Sequence, residues 1–385
     1  MPKSREGGST KITMDVGTAY DFFTSLYVLH EPKKFAVRGA WASGMLARLT
    51  AESRETLGKA WNVITCPVHV LPSFPEPKNV ETLLWSLGRL NPAERLQQLA
   101  NPWDLKGSGS SSVVAEVAER GRWTEADRQQ LKDSLQQKSG AEKPVSDEKL
   151  GGMLDIWADA EAFGEAYLAA LRNYYDVFFH EEEKRIGPAI QAAAERISGL
   201  AKKVPLSDLI EEISAGIRYE TLPDATELVL APSYWITPLM LTVRLDASRM
   251  LLVFGARAAS DSIVPGETVP DGLIRALKAL SDPTRLRILR LVAERSMGAA
   301  ELARTLRLRT PTMIHHLHAL RLSGLIQIRM AEADMKKKAS FSLRPQAVQD
   351  VMSALDGFLH KKDSGDDTEA KRPTGINRND TSEGG

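Results

Sequence analysis

The chain has 385 residues, in which 50 Lys and Arg balance 50 Asp and Glu and 43% of the residues are hydrophobic. This length leaves room for two or three domains, and a single cysteine, Cys66, excludes a disulfide framework within the chain. The N-terminus lacks the apolar core of a signal peptide, and no run approaches the roughly 18 apolar residues of a membrane helix. We therefore expect a cytoplasmic protein without a membrane span.

The first half of the chain has the apolar spacing of helices, and we expect a helical domain of unknown role over residues 12–215. Within it, residues 104–150 begin with a Gly- and Ser-rich run and continue as a polar, highly charged stretch. That composition is typical of a flexible insertion, in which only the segment that begins near Thr124 has the spacing of a helix.

Residues 217–264 differ in character from the helical region before them. Three short runs rich in β-branched residues, each bounded by turn residues, predict a small antiparallel sheet, and the polar segment after them is expected to be a linker. The C-terminal residues 361–385 are polar throughout, and we expect them to be disordered.

All Trp and Tyr side chains lie before residue 236, and two interpretations of them stay open. Their helical spacing favours core packing, but clustered aromatic side chains also line small-molecule pockets, and a sensory domain would bind its effector in one. The clustered residues are Trp157, Tyr167, Tyr174, Tyr175 and Trp235.

The sequence lacks the usual motifs of catalysis. His180 and Glu183 share one helical face, as in half of a metal site, but no second motif completes it, so a solvated charged face is favoured. The chain has no phosphate-binding Gly loop, nucleophile elbow or Cys/His ligand cluster. We expect no enzyme activity, no metal and no cofactor, although an N-terminal domain of unknown fold leaves room for a ligand-binding or enzymatic site.

Positive charge is concentrated in residues 271–345, which carry 15 Lys and Arg against 6 Asp and Glu, a net of +9 in a neutral chain. Such a concentration is typical of a surface that binds a polyanion, and DNA is the obvious candidate. The alternative is a solvated face of an ordinary globular domain.

Local signals divide this basic segment into short helices. Asp282-Pro283 and Thr310-Pro311 each combine a capping side chain with a proline at the first helical position, and Ser323-Gly324 is expected to end the helix that Thr310 opens. Two short helices joined by three or four residues form a helix-turn-helix, whose second helix lies in the major groove of DNA. The apolar residues expected to form the buried face of the helix after Pro283 are Leu286, Ile288, Leu289, Leu291 and Val292.

The helix predicted over residues 311–322 has an apolar and a polar face. The residues expected inside are Met313, Leu317 and Leu320, and those expected outside are Thr312, His315, His318 and Arg321. A metal site formed by His315, His316 and His318 is the alternative, but their spacing does not place all three on one face. After this helix, two strand-like runs over residues 326–343 predict a wing. Its tip, with Lys336, Lys337 and Lys338, suits phosphate or minor-groove contact.

Two sequences, LSDPTRLRIL and HHLHALRLSGLI, resemble those of the ArsR-type (arsenic-repressor) winged-helix regulators. The resemblance covers the winged-helix segment and implies a homodimer that binds a palindromic operator, usually as a repressor released by a signal. The recognition helix of the family corresponds to residues 311–322 and its wing to 326–343. More weakly, the N-terminal half resembles an uncharacterised helical region found ahead of some ArsR-type domains, mainly through the run LVLAPSYWITP.

The segment departs from that family at its sensor sites. Gly298 and Ala300 occupy the positions of the family's cysteine pair, and thiolate sensing of soft metals requires sulfur ligands. In the last helix, Asp350, Asp356 and His360 lack the spacing of the family's other metal site. The family's metal sensing is therefore not carried over. Ile314 also replaces a small hydroxyl residue that often lies near the DNA backbone.

The last helix, over residues 346–360, and the helix before Ser281 both carry apolar stripes. A domain of this size buries only one face of each helix, so the spare stripes favour a homodimer interface, and packing within the domain is the alternative. The stripe residues are Val348, Val351, Met352, Leu355, Phe358 and Leu359 in the last helix and Leu273, Ile274, Leu277 and Leu280 in the other.

The expected fold is mainly α, with a helical N-terminal domain, a small antiparallel β element and a winged helix-turn-helix domain with dimerising helices over residues 271–360. The expected function is regulation of transcription, as a repressor, by a homodimer that binds double-stranded operator DNA through the recognition helix over residues 311–322 and the wing over residues 326–343, without catalytic activity. The residues expected to contact DNA are Arg309, Thr310, Thr312, His315, His318, Arg321, Lys336, Lys337 and Lys338. The alternatives are a protein-interaction module and a ligand-binding or enzymatic N-terminal domain fused to a DNA anchor.

Overall fold

The computed structural model of the protein describes residues 10–35, 37–100, 110–139, 145–219, 225–266, 269–330 and 339–360. The lysines expected at the wing tip (Lys336, Lys337 and Lys338) and the tail over residues 361–385 lie outside these ranges. Among the described residues, no helix is long and apolar enough to span a membrane.

The N-terminal region is helical, as the apolar spacing predicts. Side-chain caps begin several of its helices: Asn79 accepts from the backbone N–H of Thr82, and Ser146 accepts from that of Lys149. Its described helices are α1 (Ala19–His30), α2 (Gly39–Ala47), α3 (Ala51–Ala60), α4 (Val80–Arg89), α5 (Pro92–Leu99), α6 (Ser110–Arg120), α7 (Glu125–Ser139), α8 (Asp147–Ala158), α9 (Ala160–Tyr174), α10 (His180–Ala201) and α11 (Leu206–Ile213).

One π-helical turn, Tyr175–Phe179, joins α9 to α10, so that the two form one continuous helical run. Short 3-10 turns cover Pro32–Phe35 and Val68–Ser73. A π turn inserts one extra residue per turn and rotates the side chains that follow it, and such turns occur often at functional sites.

Aromatic side chains fill the core of the N-terminal region. The five clustered Trp and Tyr residues of the sequence analysis are all less than 10% exposed, and Trp235, fully buried, packs edge-on against Phe178 at 5.8 Å between ring centroids. Core packing, rather than a pocket wall, therefore accounts for these five residues. Glu183 also differs from the solvated face we expected, because it accepts hydrogen bonds from the Val80 amide and the Tyr175 hydroxyl at 3.1 Å each.

Most of the stretch expected to be a flexible insertion is helical. Helices α6 and α7 bury Val113, Val117 and Leu131, and both pack against α8. The expectation of a flexible segment with one helix is therefore wrong for residues 110–139, because a few buried apolar side chains, Val114 among them, are enough to attach two polar helices to the domain.

The three β runs after residue 225 are strands, but their sheet is mixed rather than antiparallel. The three strands are β3 (Glu227–Ser233), β4 (Met240–Arg244) and β5 (Arg249–Gly255). A fourth strand from the start of the chain, β1 (Lys11–Met14), joins them in a sheet of the order β1-β3-β5-β4. Only β4 and β5 are antiparallel, whereas β3 is parallel to both β1 and β5. Strand β3 lies between helices on both faces, which explains its almost continuous burial.

The C-terminal domain has the element order of a winged helix. Its elements are α12 (Asp271–Leu280), α13 (Pro283–Glu294), β6 (Met297–Gly298), α14 (Ala299–Thr305), α15 (Thr310–Leu322), β7 (Ile326–Met330), β8 (Ser340–Leu343) and α16 (Ala347–His360). A further strand, β2 (Ile217–Tyr219), comes from the N-terminal region and pairs in parallel with β7. The wing sheet therefore has the order β2-β7-β8-β6.

Candidate nucleic-acid interface

The local signals that predicted the helix-turn-helix are present, with one correction. Asp282 accepts a hydrogen bond from the Arg285 amide at 2.9 Å and so caps α13, with Pro283 in the first turn. Thr310 is not the cap of α15, because the helix begins at Thr310 itself and Arg309 occupies the cap position without a capping side-chain bond.

The C-terminus of α15 is fixed by backbone geometry. Gly324 has a φ of +72°, its amide donates to the carbonyl of Arg321, and the Leu325 amide donates to the carbonyl of Leu320. This pair of bonds is the Schellman motif, which favours glycine at the left-handed position. It ends α15 and directs the chain into β7, as Ser323-Gly324 predicts.

The apolar face of α15 anchors it to the domain core. Met313, Leu317 and Leu320 are at most 2% exposed and pack in one cluster with Ile288 and Leu302. These three buried residues therefore set the orientation of α15 about its own axis.

The buried face predicted for α13 is wrong at one residue, because the side chain of Leu286 is 48% exposed.

The opposite face of α15 presents the expected DNA-contacting side chains at one surface. Thr312, His315 and His318 are exposed on the helix, and Arg321 is partly exposed. Arg309 and Thr310 are exposed at the N-terminal end, where backbone N–H groups favour an anion. Ile314, the apolar departure from the family pattern, is 55% exposed at the same helix.

The histidines of α15 lie in different electrostatic surroundings. Partial burial and the neighbouring cations Arg321 and Lys34 lower the pKa of His318, because each disfavours its charged form. His316 is partly buried, and its charged form lies close enough to Asp282 to help lower the pKa of that carboxyl. His316 therefore faces α13, while His315 and His318 face outward.

Sequence reasoning missed two features that border this surface. Lys34, from the 3-10 turn after α1, makes the smallest of the contributions that lower the pKa of His318. Strand β2 extends the wing sheet on the side away from β8. A three-residue strand gives no local signal of its partner, and a lysine in a turn gives no signal of a neighbour far along the chain.

No metal site accompanies the interface in the part of the chain that the structure describes, where no three His, Cys, Asp or Glu side chains are grouped closely enough to hold an ion. Gly298 ends β6 and Ala300 lies in the first turn of α14, so the positions of the family's cysteine pair carry no ligand atoms here. Burial raises the pKa of the Cys66 thiol, the only thiol of the chain.

An apolar surface lies on the helices at the two ends of the domain. Helices α12 and α16 contact each other, and only part of each apolar stripe is buried. The large apolar side chains left exposed on these two helices are Leu277, Val348, Met352 and Leu359, at 37%, 41%, 51% and 65%.

The helix-turn-helix, its two-faced second helix and the β-wing define a winged helix-turn-helix domain of a DNA-binding transcriptional regulator. Residues 282–327 match the model of the family described as bacterial regulatory protein, arsR family. The chain is 32% identical over 89 residues to the transcriptional repressor SdpR of Bacillus subtilis, a match that spans 23% of this chain and 92% of SdpR. The chain therefore belongs to the arsR family, and the resemblance noted in the sequence is confirmed.

Two further comparisons involve the same domain. The chain is 43% identical over 53 residues to the uncharacterized HTH-type transcriptional regulator MJ1325 of Methanocaldococcus jannaschii, across 14% of this chain and 60% of MJ1325. The solved structure of reduced HlyU from Vibrio cholerae is 25% identical and covers 24% of this chain and 90% of the HlyU chain, with a TM-score of 0.18.

Proposed function

We propose that the protein is a transcriptional repressor that binds operator DNA as a homodimer through α15 and the wing. The observation that carries the proposal is the division of α15 into a buried anchor (Met313, Leu317 and Leu320) and an exposed polar face. A helix held in this way presents side chains to the major groove without losing its place in the domain. Membership of the arsR family and the similarity to a protein named as a repressor support the assignment.

The proposed DNA contacts fall into two groups. Arg309, Lys336, Lys337 and Lys338 contact phosphates, whose binding is independent of sequence. Thr312, His315 and His318 contact base edges, with Thr310 beside them at the start of the helix, and Arg321 serves either role. Burial and the neighbouring cations lower the pKa of His318, which favours its neutral form in the free protein.

The proposed dimer uses the exposed stripe of α12 and α16. Pairing the same stripe on two copies removes Leu277, Met352 and Leu359 from water, and a two-fold interface brings identical patches together. A dimer would place two copies of α15 about 34 Å apart, one turn of DNA, and so match a palindromic site.

The N-terminal region is proposed to be the sensory part, acting in the cytoplasm, where operator DNA is found. Without thiolate ligands at Gly298 and Ala300, the signal is expected to reach the winged helix from outside that domain. Two connections join the regions: the hydrogen-bonded pairing of β2 with β7, and the covalent segment before α12. A regulator of this type needs no catalytic activity.

Fluorescence anisotropy on the full chain tests the proposal. The probes are a labelled fragment from upstream of its own gene and a shuffled fragment of equal composition, each measured over a series of salt concentrations. We expect tighter binding to the upstream fragment and a slope of about −0.9 per phosphate contact in log affinity against log salt. Equal, weak and salt-insensitive binding to both fragments would instead indicate a winged helix that docks a protein partner.

A further inference from the structure

A cavity of about 340 Å³ lies between α2 and the start of α10, in the N-terminal region. Trp41, Met45 and Arg48 line one side at helical spacings of four and three residues. The π turn and α10 line the other side with residues spaced in the same way, and Pro265 of the segment before α12 completes the wall. The volume is within the range of roughly 300–1,000 Å³ that is usual for small-molecule sites.

The apolar part of the cavity is formed by aromatic rings that pack on one another. Trp41 stacks on the fully buried Trp235 at 6.1 Å between ring centroids, and Phe178 meets the same indole edge-on at 5.8 Å. Phe178 belongs to the π turn, which sets the direction of its side chain. Two aromatic surfaces held by a common buried ring suit a flat, apolar group.

The charged part of the cavity contains one satisfied ion pair and two charges without one. Arg185 donates to both carboxylate oxygens of Glu182, so these two side chains neutralise each other. Arg48 and Glu181, both exposed, make no ion pair with any residue that the structure describes, and the Arg48 guanidinium donates one hydrogen bond, to the Met45 sulfur at 4.0 Å. A ligand that complements these two charges carries one anionic and one cationic group.

The cavity is connected to the DNA-binding domain by hydrogen bonds. Arg185 donates to the carbonyl of Ile263 at 3.3 Å, and the amide of Ile263 donates to Asp271 of α12 at 2.7 Å. Arg257, whose side chain is 2% exposed, lies 3.8 Å from the same carboxylate. A ligand that moves Arg185 or Pro265 would therefore act on the first turn of α12.

We propose that this cavity binds a small zwitterion with a flat apolar body, of the class of the aromatic amino acids. The ligand carboxylate pairs with Arg48, its ammonium group pairs with Glu181, and its ring lies against Trp41 and Phe178. Binding to the cavity is independent of the proposed function, whereas control of DNA binding by the ligand rests on it. Sequence reasoning missed this site because its walls come from three segments that are far apart in the chain.

Calorimetry on the full chain without DNA tests the binding site. The probes are L-tryptophan, L-tyrosine and L-phenylalanine, with tryptamine and indole-3-propionate as analogues of tryptophan that lack the carboxylate or the ammonium group. We expect L-tryptophan to bind, and each of its two analogues, which lack one of its charges, to bind about tenfold more weakly or worse, the effect of losing one charge-assisted hydrogen bond.

Two variants test which residue of the cavity pairs with the carboxylate and which with the ammonium group of the ligand. Arg48→Ala should abolish the preference for tryptophan over tryptamine, and Glu181→Gln should abolish the preference for tryptophan over indole-3-propionate. Arg54→Ala and Glu161→Gln, which change exposed residues outside the cavity, should leave every affinity unchanged. The absence of binding by all three amino acids, or binding that neither cavity variant alters, would overturn the proposal.

A second measurement tests control of DNA binding. A saturating amino acid should change the affinity of the full chain for its upstream fragment by about fivefold or more, and the DNA should change the affinity for the amino acid by the same factor. Asp271→Asn should reduce this coupling without weakening ligand binding. A ligand that binds in calorimetry but leaves DNA affinity unchanged would contradict the regulatory role alone, and a failure of DNA binding without ligand would contradict the proposed function alone.

Discussion

Ile217 of the N-terminal region lies beside Ile328 of the wing in parallel register, and the Ile328 amide donates a hydrogen bond to the carbonyl of Gly216 at 2.8 Å. The wing sheet thus contains a strand that the winged-helix domain does not itself supply. This strand follows α11 directly and covers the edge of β7 that would otherwise have unpaired backbone groups. A displacement of α11 would therefore be transmitted to the wing.

The turn into β2 depends on Gly216. Its φ is +106°, and a Cβ there would lie 3.3 Å from Cδ of Arg344 and 3.4 Å from Cα of Gln327. We expect Gly216→Ala to lower the free energy of unfolding by about 1–3 kcal/mol and to speed hydrogen exchange at the Ile328 amide. Gly266→Ala is the matched control, because Gly266 also has a positive φ but open space around it, and it should leave exchange in β7 unchanged. Slow exchange at Ile328 in both variants would show that β2 does not hold the wing.

The buried carboxyl of Asp21 is expected to make the free energy of unfolding of the protein depend on pH. This carboxyl is fully buried and accepts hydrogen bonds from the Ser233 hydroxyl and the Trp235 amide, and burial is the main cause that raises its pKa to about 7. The folded state therefore holds the proton more tightly than the unfolded state, so the stabilisation is present below the ordinary value of 3.8 and is lost as the pH rises through about 7.

The test of Asp21 is denaturation by urea at several pH values. Between about pH 5 and about pH 8, the stability of the wild type should fall by about 2–3 kcal/mol relative to Asp21→Asn, which carries no ionisable group at this position. Asp176→Asn, at an exposed position, should keep the pH dependence of the wild type. A constant difference between the wild type and Asp21→Asn would contradict the raised pKa.

Met352 tests the proposed dimer interface without disturbing the core, because its side chain is 51% exposed on α16. Met352→Glu places a charge in the apolar stripe and should shift the protein to monomers in sedimentation velocity. It should also weaken operator binding by about 100-fold, since each monomer then binds one half-site. Trp85→Glu changes an exposed apolar residue of the N-terminal region and should alter neither property. Unchanged dimers in Met352→Glu would exclude this stripe as the interface.

The features that the sequence predicted correctly are those with local causes. The start of α13 follows from Asp282 and Pro283, and the end of α15 follows from Gly324, because caps act within a few residues. The buried and exposed faces of α15 follow from the spacing of Met313 and Leu317.

The features that the sequence did not predict depend on contacts between distant segments. Lys11 of β1 pairs with Glu227 of β3, and Ile217 pairs with Ile328, and parallel pairing of this kind leaves no turn signal in the sequence. The cavity is a similar case, because Trp41 and Phe178 meet only through the buried Trp235. Helical periodicity favoured a core position for Trp235, but it gave no indication of which faces around this residue enclose a space.

The exposed face of α15 is proposed to read DNA sequence, and the most direct test compares the binding of three proteins to the upstream and shuffled fragments. The wild type is set beside His315→Ala and Arg290→Ala, the latter an exposed cation on α13 whose side chain is 85% exposed. His315→Ala should reduce the ratio of affinities for the upstream and shuffled fragments by about tenfold, the effect of losing one base contact. Arg290→Ala should leave this ratio unchanged. Equal losses on both fragments, or no loss from His315→Ala, would contradict the assignment of α15 as the recognition helix.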